Sequence, residues 1–96
     1  MLDAHPGEFV YATAGRDAGK CFVVLAVENE FVFIADGKGR KVSTPKKKKN
    51  KHIKFTGKVD SFIENRLNSL NKVTNKEVRY AISNFLGNKI NEENVL

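Results

Sequence analysis

Three short apolar segments in the first part of the chain predict β-strands. Residues 21–27 and 31–35 contain no charged side chain, and Phe and Val recur in both. Segments of this length and composition are typical of strands that are covered on both faces. Residues 9–14 form a third candidate strand, so residues 15–20 become the loop of a β-hairpin, in which two glycines permit positive φ.

The middle of the chain predicts two more strands, separated by a cationic loop. Residues 40–43 are expected to form a short, polar fourth strand. Residues 44–51 contain five lysines, whose mutual repulsion predicts an extended loop that is poorly ordered without a partner. Residues 52–56 alternate polar and apolar side chains, which predicts a half-buried fifth strand with Ile53 and Phe55 facing inward. Five short strands joined by tight turns suit a small β-barrel.

From residue 59 onward the hydrophobic period is that of helices. Apolar side chains recur along one helical face in residues 59–70, and again in residues 78–86. Each stretch begins with the spacing of a capping box, in which a hydroxyl and a carboxylate satisfy free amides at the helix start. The two predicted boxes are Ser61 with Glu64 and Thr74 with Glu77.

These elements predict a mostly β protein with a helical extension, organised in two parts. Residues 1–57 would form the five-stranded barrel, and residues 58–96 would form a C-terminal extension of two helices. Two helices of about three turns cannot bury their apolar stripes alone, so we expect them to dock on the barrel.

Positive charge is concentrated in the middle of the chain. The protein carries a net charge of +6. Residues 36–58 hold ten lysines and arginines against one acid, Asp36, which gives this stretch +9 and leaves −3 for the other 73 residues. A surplus that served only solubility would be spread along the chain, whereas a concentrated one favours an anionic partner.

The sequence offers little for catalysis or for metal binding. The two histidines, His5 and His52, are far apart, and there is no Cys-x-x-Cys, no His-Glu-x-x-His and no Walker loop. We therefore expect no enzyme activity, no cofactor and no metal. The single cysteine is compatible with a reducing cytosol. With no apolar run of about 18 residues and no signal-peptide pattern, we expect a cytoplasmic protein that is monomeric when free.

The first hairpin and the segments after it carry a family resemblance. Gly15-Arg16-Asp17-Ala18-Gly19-Lys20, then an apolar strand, then Phe31-Val32-Phe33-Ile34-Ala35-Asp36-Gly37 resemble the KOW motif. Residues 36–42 and 45–53 further resemble the KOW-containing large-subunit ribosomal proteins of archaea and eukaryotes, and the match covers residues 6–56 in order. The resemblance implies an SH3-like β-barrel that binds ribosomal RNA or other structured RNA, with ribosomal proteins as further partners. The helical extension departs from these proteins and is more similar to the tail of stand-alone bacterial KOW proteins.

The candidate RNA-binding residues are cations of the loops and of the neighbouring strands. Lysine ammonium groups are mobile point charges suited to phosphates, whereas an arginine on a constrained turn offers a planar fork or a stacking face. The RNA-binding set comprises Arg16, Lys20, Lys38, Arg40, Lys41, Lys46, Lys47, Lys48, Lys49, Lys51, His52 and Lys54. The turn-forming set comprises Gly15, Asp17 (through an Asx-turn), Gly19, Asp36 and Gly37. Tyr11 is the candidate for base stacking, while most of the phenylalanines are expected in the core.

Other interpretations remain open at this point. The lysine-rich segment is also compatible with a solvated flexible loop or with a nuclear localisation signal. The alternative function is a protein-interaction module that contacts ribosomal or transcription partners. Peptide-binding barrels usually need an exposed aromatic groove, and the absence of Trp beside a +9 segment favours RNA instead.

Overall fold

The protein consists of five strands, two helices and the turns between them. The computed structural model describes residues 4–87, so the end of the expected helical extension lies outside the described residues. The strands are β1 (Glu8–Ala12), β2 (Cys21–Glu28), β3 (Phe31–Ala35), β4 (Lys46–Lys49) and β5 (Ile53–Val59), and the helices are α1 (Ser61–Leu70) and α2 (Asn75–Phe85). All five strands belong to one antiparallel sheet in the order β4-β3-β2-β1-β5. The predicted mostly β class with two helices is confirmed.

The strands β1, β2 and β3 confirm the three predicted from the apolar segments. Their side chains alternate between the two faces of the sheet, and each face contributes to a buried cluster. One face carries a buried cluster of Val10, Ala12, Phe22, Val24, Val32, Ile34 and Ile53. On the other face, Phe9 and Val23 are buried with residues of the helical part. Burial on both faces explains the apolar character of residues 9–12 and 21–24, whereas Glu28 lies at the exposed end of β2.

The prediction for the lysine-rich segment is wrong. Lys46–Lys49 forms an ordered edge strand that pairs with β3, whereas residues 40–43, predicted as the fourth strand, lie in a turn. Without β4, the outer edge of β3 would carry backbone amides and carbonyls that lack hydrogen-bond partners, and β4 supplies these partners. An extended strand also sends successive side chains to opposite faces, which separates neighbouring ammonium groups and lowers their repulsion.

Both helices pack on the face of the sheet that carries Phe9 and Val23. The shared buried cluster contains Ile63 of α1 and Val78 and Ala81 of α2. The ring of Phe85 stacks on that of Phe9 with centroids 4.1 Å apart and an interplanar angle of 7°. The helices therefore complete a second apolar layer of the protein. Within residues 4–87, neither helix has the length and apolar character needed to cross a membrane.

The helix starts confirm one predicted capping box and correct the other. Thr74 accepts a hydrogen bond from the Glu77 amide, and the Glu77 side chain accepts one from the Thr74 amide. In α1 the N-cap is Asp60, which accepts from the amide of Ile63 at 2.9 Å. Strand β5 covers Ile53–Val59, whereas the prediction was residues 52–56, so it ends three residues later than expected. Helix α1 therefore starts directly after a single capping residue.

Candidate nucleic-acid interface

Two turns at one end of the sheet form a cationic cleft. The β1–β2 loop (residues 13–20) lies beside the turn that leaves β3 (residues 36–40), and together they enclose about 570 Å³. The cleft is lined by Arg16, Asp17, Lys20, Asp36, Lys38, Gly39 and Arg40. Four cations against two carboxylates give it a net positive charge. All these residues except Gly39 belong to the RNA-binding and turn-forming sets predicted from the sequence, and the fold brings them together.

The β1–β2 loop has the conformation expected from its glycines. Gly15 and Gly19 adopt φ of 82° and 88°, a region that side chains rarely tolerate. The Gly19 amide donates to the carbonyl of Ala12 at 2.8 Å, which closes the hairpin. Arg16 is exposed at the tip, and within residues 4–87 its guanidinium forms no hydrogen bond or ion pair. This side chain is therefore available to an anionic ligand.

Asp17 links the two turns through its carboxylate, in place of the predicted Asx-turn. Its Oδ2 accepts from Arg40, with Nε at 3.0 Å and Nη2 at 2.8 Å. Lys20 Nζ lies 3.5 Å from Oδ1. The hydrogen bond from Arg40, helped by both positive charges and opposed by burial, holds the pKa of the Asp17 carboxyl below its ordinary value of 3.8. Arg40, predicted to contact RNA, thus has an internal partner that fixes the cleft wall.

Neutralising Asp17 should change how the stability of the protein depends on pH. Because the folded-state pKa is lowered, the ionised carboxyl stabilises the fold fully above its unfolded pKa, and this contribution is lost as pH falls through the folded pKa. Asp17→Asn should therefore be less stable than the wild type at neutral pH, with the difference shrinking below about pH 4. Urea unfolding across this range measures it. Glu28→Gln, which removes a carboxylate that is 60% exposed, is the control; a difference for Asp17→Asn that stays constant with pH would contradict the coupling.

The second turn is fixed by its own aspartate and by helix α2. Asp36 Oδ1 accepts from the amides of Lys38 at 2.8 Å and Arg40 at 2.9 Å. Arg79 of α2 donates from Nη1 to the carbonyl of Gly37 at 2.8 Å. Sequence reasoning missed Arg79, because nothing in a helical stripe indicates a contact with a turn 42 residues earlier. The turn that presents Lys38 is thus rigid on both sides.

The four lysines of β4 face in two directions. Lys47 and Lys49 pair with Phe33 and Phe31 of β3, while Lys46 and Lys48 pair with the buried Ile34 and Val32. Directly paired residues share a face, so the first two lysines project from the face opposite to the second two. The ammonium group of Lys48 donates to the carbonyl of Ala14 at 2.8 Å, which ties the edge strand to the β1–β2 loop. The four lysines are therefore not equivalent, whereas in a flexible loop they would be.

The other predicted cations surround these two features. Lys41 is exposed in the turn after Arg40, and Lys51 and Lys54 are exposed beside the 3₁₀ turn that joins β4 to β5. His52 is half-buried, and its carbonyl accepts from the amide of Thr13 at 2.9 Å, next to the β1–β2 loop. The positive surface thus extends from the cleft along the edge strand and its connection to β5.

The aromatic residues are distributed differently from the expectation for base stacking. Tyr11 is half-buried, with its ring centroid 6.5 Å from that of Phe85 on α2. Phe31 and Phe33, expected mainly in the core, are also half-buried, and they lie on the face from which Lys47 and Lys49 project. Cations and partly exposed rings therefore meet on β3 and β4, and also at Tyr11, which is paired with Lys54 and lines a cleft with Lys20 and Lys38.

Metal-binding groups and the cysteine thiol are the remaining features of residues 4–87 that bear on the site. Within residues 4–87, no group of three or more His, Cys, Asp or Glu side chains is placed to hold a metal ion. Burial raises the pKa of the Cys21 thiol to about 11, so this group stays protonated at neutral pH.

No protein-family model and no curated protein matches this chain. Its function must therefore be inferred from the site itself.

Proposed function

We propose that this protein binds structured RNA of the translation apparatus through its cationic cleft and the lysine strand β4. The observation that carries the proposal is the juxtaposition of Arg16, Lys20 and Lys38 in one cleft, continued by four lysines on an ordered edge strand. Cations spaced along a rigid surface neutralise successive phosphates, which supplies affinity and positions the nucleic acid. The resemblance of residues 6–56 to KOW ribosomal proteins favours RNA linked to translation over other anions.

We further propose that the sheet curls into an SH3-like barrel. Its edge strands β4 and β5 are consecutive in the chain and are joined by Asn50–His52 alone. In a flat sheet these edges would be about 19 Å apart, at about 4.8 Å per strand. The four steps from Lys49 to Ile53 span at most about 14 Å, so a flat arrangement does not fit. The bond from Lys48 to the Ala14 carbonyl also supports an approach of the edges.

Titration of the protein with a labelled RNA hairpin at several salt concentrations tests RNA binding. We expect log K to fall linearly with log salt, and Arg16→Gln to weaken binding about fivefold or more, because a free guanidinium is removed from the cleft. Lys76→Gln, which removes one exposed positive charge from α2, should bind as the wild type does. Absence of binding at low salt, or equal effects of the two variants, would contradict the proposal.

A protein-interaction module is the second candidate, and one observation favours it. A cleft of about 670 Å³ lies between α1 and α2 and is flanked by Phe62 and Tyr80, whose exposed fractions are 53% and 70%. This cleft lies on the helices, whereas the candidate RNA-binding cations lie on the turns and strands. Tyr80→Ser should therefore leave RNA binding unchanged. A loss of RNA affinity in this variant would contradict the separation of the helical cleft from the RNA-binding surface.

A further inference from the structure

The outer face of β3 and β4 carries two aromatic rings in line with two lysines. Phe31 and Phe33 are two residues apart on one strand, which separates their Cα atoms by about 7 Å. Lys49 and Lys47 lie directly across from them on β4. Both rings are only half-buried, although the residues between and beside them, Val32 and Ile34, are fully buried. Two phenylalanines thus keep ring surface in solvent beside a strand of four lysines.

The lysine ammonium groups lie over these rings. Lys47 Nζ is 4.5 Å from the centroid of Phe31 and 5.8 Å from that of Phe33, and Lys49 Nζ is 5.9 Å from that of Phe31. Such contacts are weak at exposed positions. Long lysine side chains can therefore move to a phosphate while a planar base takes the ring face. The rings and the cations supply the two interactions by which unpaired nucleotides are bound, stacking and charge neutralisation.

A groove continues this surface from Phe33 toward the helices. It encloses about 530 Å³, in the range of small-ligand sites, and its apolar lining includes Leu25, Phe33, Val42, Leu67 and Val73. Lys72 also lines it. Apolar walls suit the faces of a nucleobase, and the cations near the groove suit its phosphates. Glu28 is one counter-charge here; its Oε1 lies 3.8 Å from Lys47 Nζ, and it is 60% exposed. Glu30 is a second, since it lines a small cleft with Lys49 and Lys51. Four lysines against two carboxylates leave the surface positive.

We propose that Phe31 and Phe33, with the adjoining groove, form a stacking platform for unpaired RNA bases, and that Lys47 and Lys49 bind the flanking phosphates. This inference rests on the proposed RNA-binding function and specifies which part of an RNA the β3–β4 face recognises. A duplex keeps its bases stacked on one another, so only loops, bulges or single strands can occupy the rings. The cationic cleft at the turns remains a phosphate site for either form.

The test compares two RNAs and matched ring variants. Fluorescence titrations use a short single-stranded RNA containing 2-aminopurine, whose emission falls on stacking, and a blunt-ended duplex of the same sequence. Phe33→Leu and Phe31→Leu remove the ring but keep an apolar side chain. Each should weaken single-strand binding roughly 5- to 150-fold, the loss typical of one base–aromatic stack, and should reduce the quenching. Binding to the duplex and the salt slope on both RNAs should be unchanged, because no charge is removed.

Two controls separate stacking from folding. Phe33→Tyr keeps a ring and should bind as the wild type does. Phe62→Leu makes the same change at a phenylalanine of α1 that also carries a cation, the Arg66 guanidinium 5.4 Å from its centroid, and it should leave both affinities unchanged. Unaltered single-strand binding in both leucine variants, or equal losses on the two RNAs, would overturn the platform. A wild type that binds only the duplex would overturn it too and leave the proposed function standing. Failure of the wild type to bind either RNA would remove both.

Discussion

Replacing Lys47 and Lys49 together with glutamine should weaken RNA binding roughly 25- to 60-fold at about 0.1 M salt. Both ammonium groups project from the face of β4 that is paired with Phe33 and Phe31, and we expect each to neutralise one phosphate. Each neutralised phosphate contributes about 0.7–0.9 to the slope of log K against log salt, so the double variant should flatten that slope by about 1.4–1.8. Glutamine keeps most of the side-chain length without the charge. Titration with the same RNA at several salt concentrations measures both quantities.

The other two lysines of the strand provide a matched control. Replacing Lys46 and Lys48 with glutamine removes the same charge from the same four-residue strand, but from the face that carries Ile34 and Val32. Lys48 already donates to the Ala14 carbonyl, so its ammonium is less available to a phosphate. This second pair should change the salt slope less than the first. Equal losses of affinity would mean that β4 acts through its total charge, and that the side from which each lysine projects is irrelevant.

Strand β4 also shows where prediction of the fold from the sequence stopped. The strands β1 to β3 and the capping box of Thr74 could be predicted, because burial on both faces and amide satisfaction leave local patterns. Four consecutive lysines leave no such pattern. Their strand forms through pairing with β3, and the local signal of like-charge repulsion points toward a disordered loop. The pairing with β3 is a tertiary contact, and it determines that this segment is a strand. It could not be predicted from the local sequence.

The candidate site was predictable in its residues and unpredictable in their pairing. Glycine turns and a concentrated charge identified the cations of the cleft. That Arg40 would bind Asp17, 23 residues away, depends on the approach of two turns. The same holds for Arg79 and Gly37, and for Phe33, whose half-burial beside Lys47 follows from the position of β4. Composition therefore indicated an anionic partner. Whether that partner would be an RNA loop or an RNA duplex depends on the three-dimensional arrangement of rings and lysines, which the sequence alone did not predict.

Two glycines in the turns that form the cleft should differ sharply in their tolerance of a methyl group. Gly19 and Gly37 adopt φ of 88° and 80°, so alanine has a similar conformational cost at either, about 1 kcal/mol. At Gly19 a Cβ would have no neighbour within 4 Å. At Gly37 it would overlap the backbone carbonyl oxygen of Asn75 and lie 2.8 Å from Cγ of Arg79. Gly37→Ala should therefore destabilise the protein by about 1–3 kcal/mol more than Gly19→Ala does.

Urea unfolding of both alanine variants measures this difference, and RNA titration of the same samples connects it to the site. Gly19→Ala is the matched control, since it makes the same substitution in the facing turn without the steric contact. Displacement of the Gly37 turn would strain the bond from Arg79 to its carbonyl and would shift Lys38 in the cleft. We therefore expect Gly37→Ala to bind RNA more weakly than Gly19→Ala under conditions where both are folded. Equal stabilities would show that the turn is not held against α2, and the helices would then have no part in shaping the cleft.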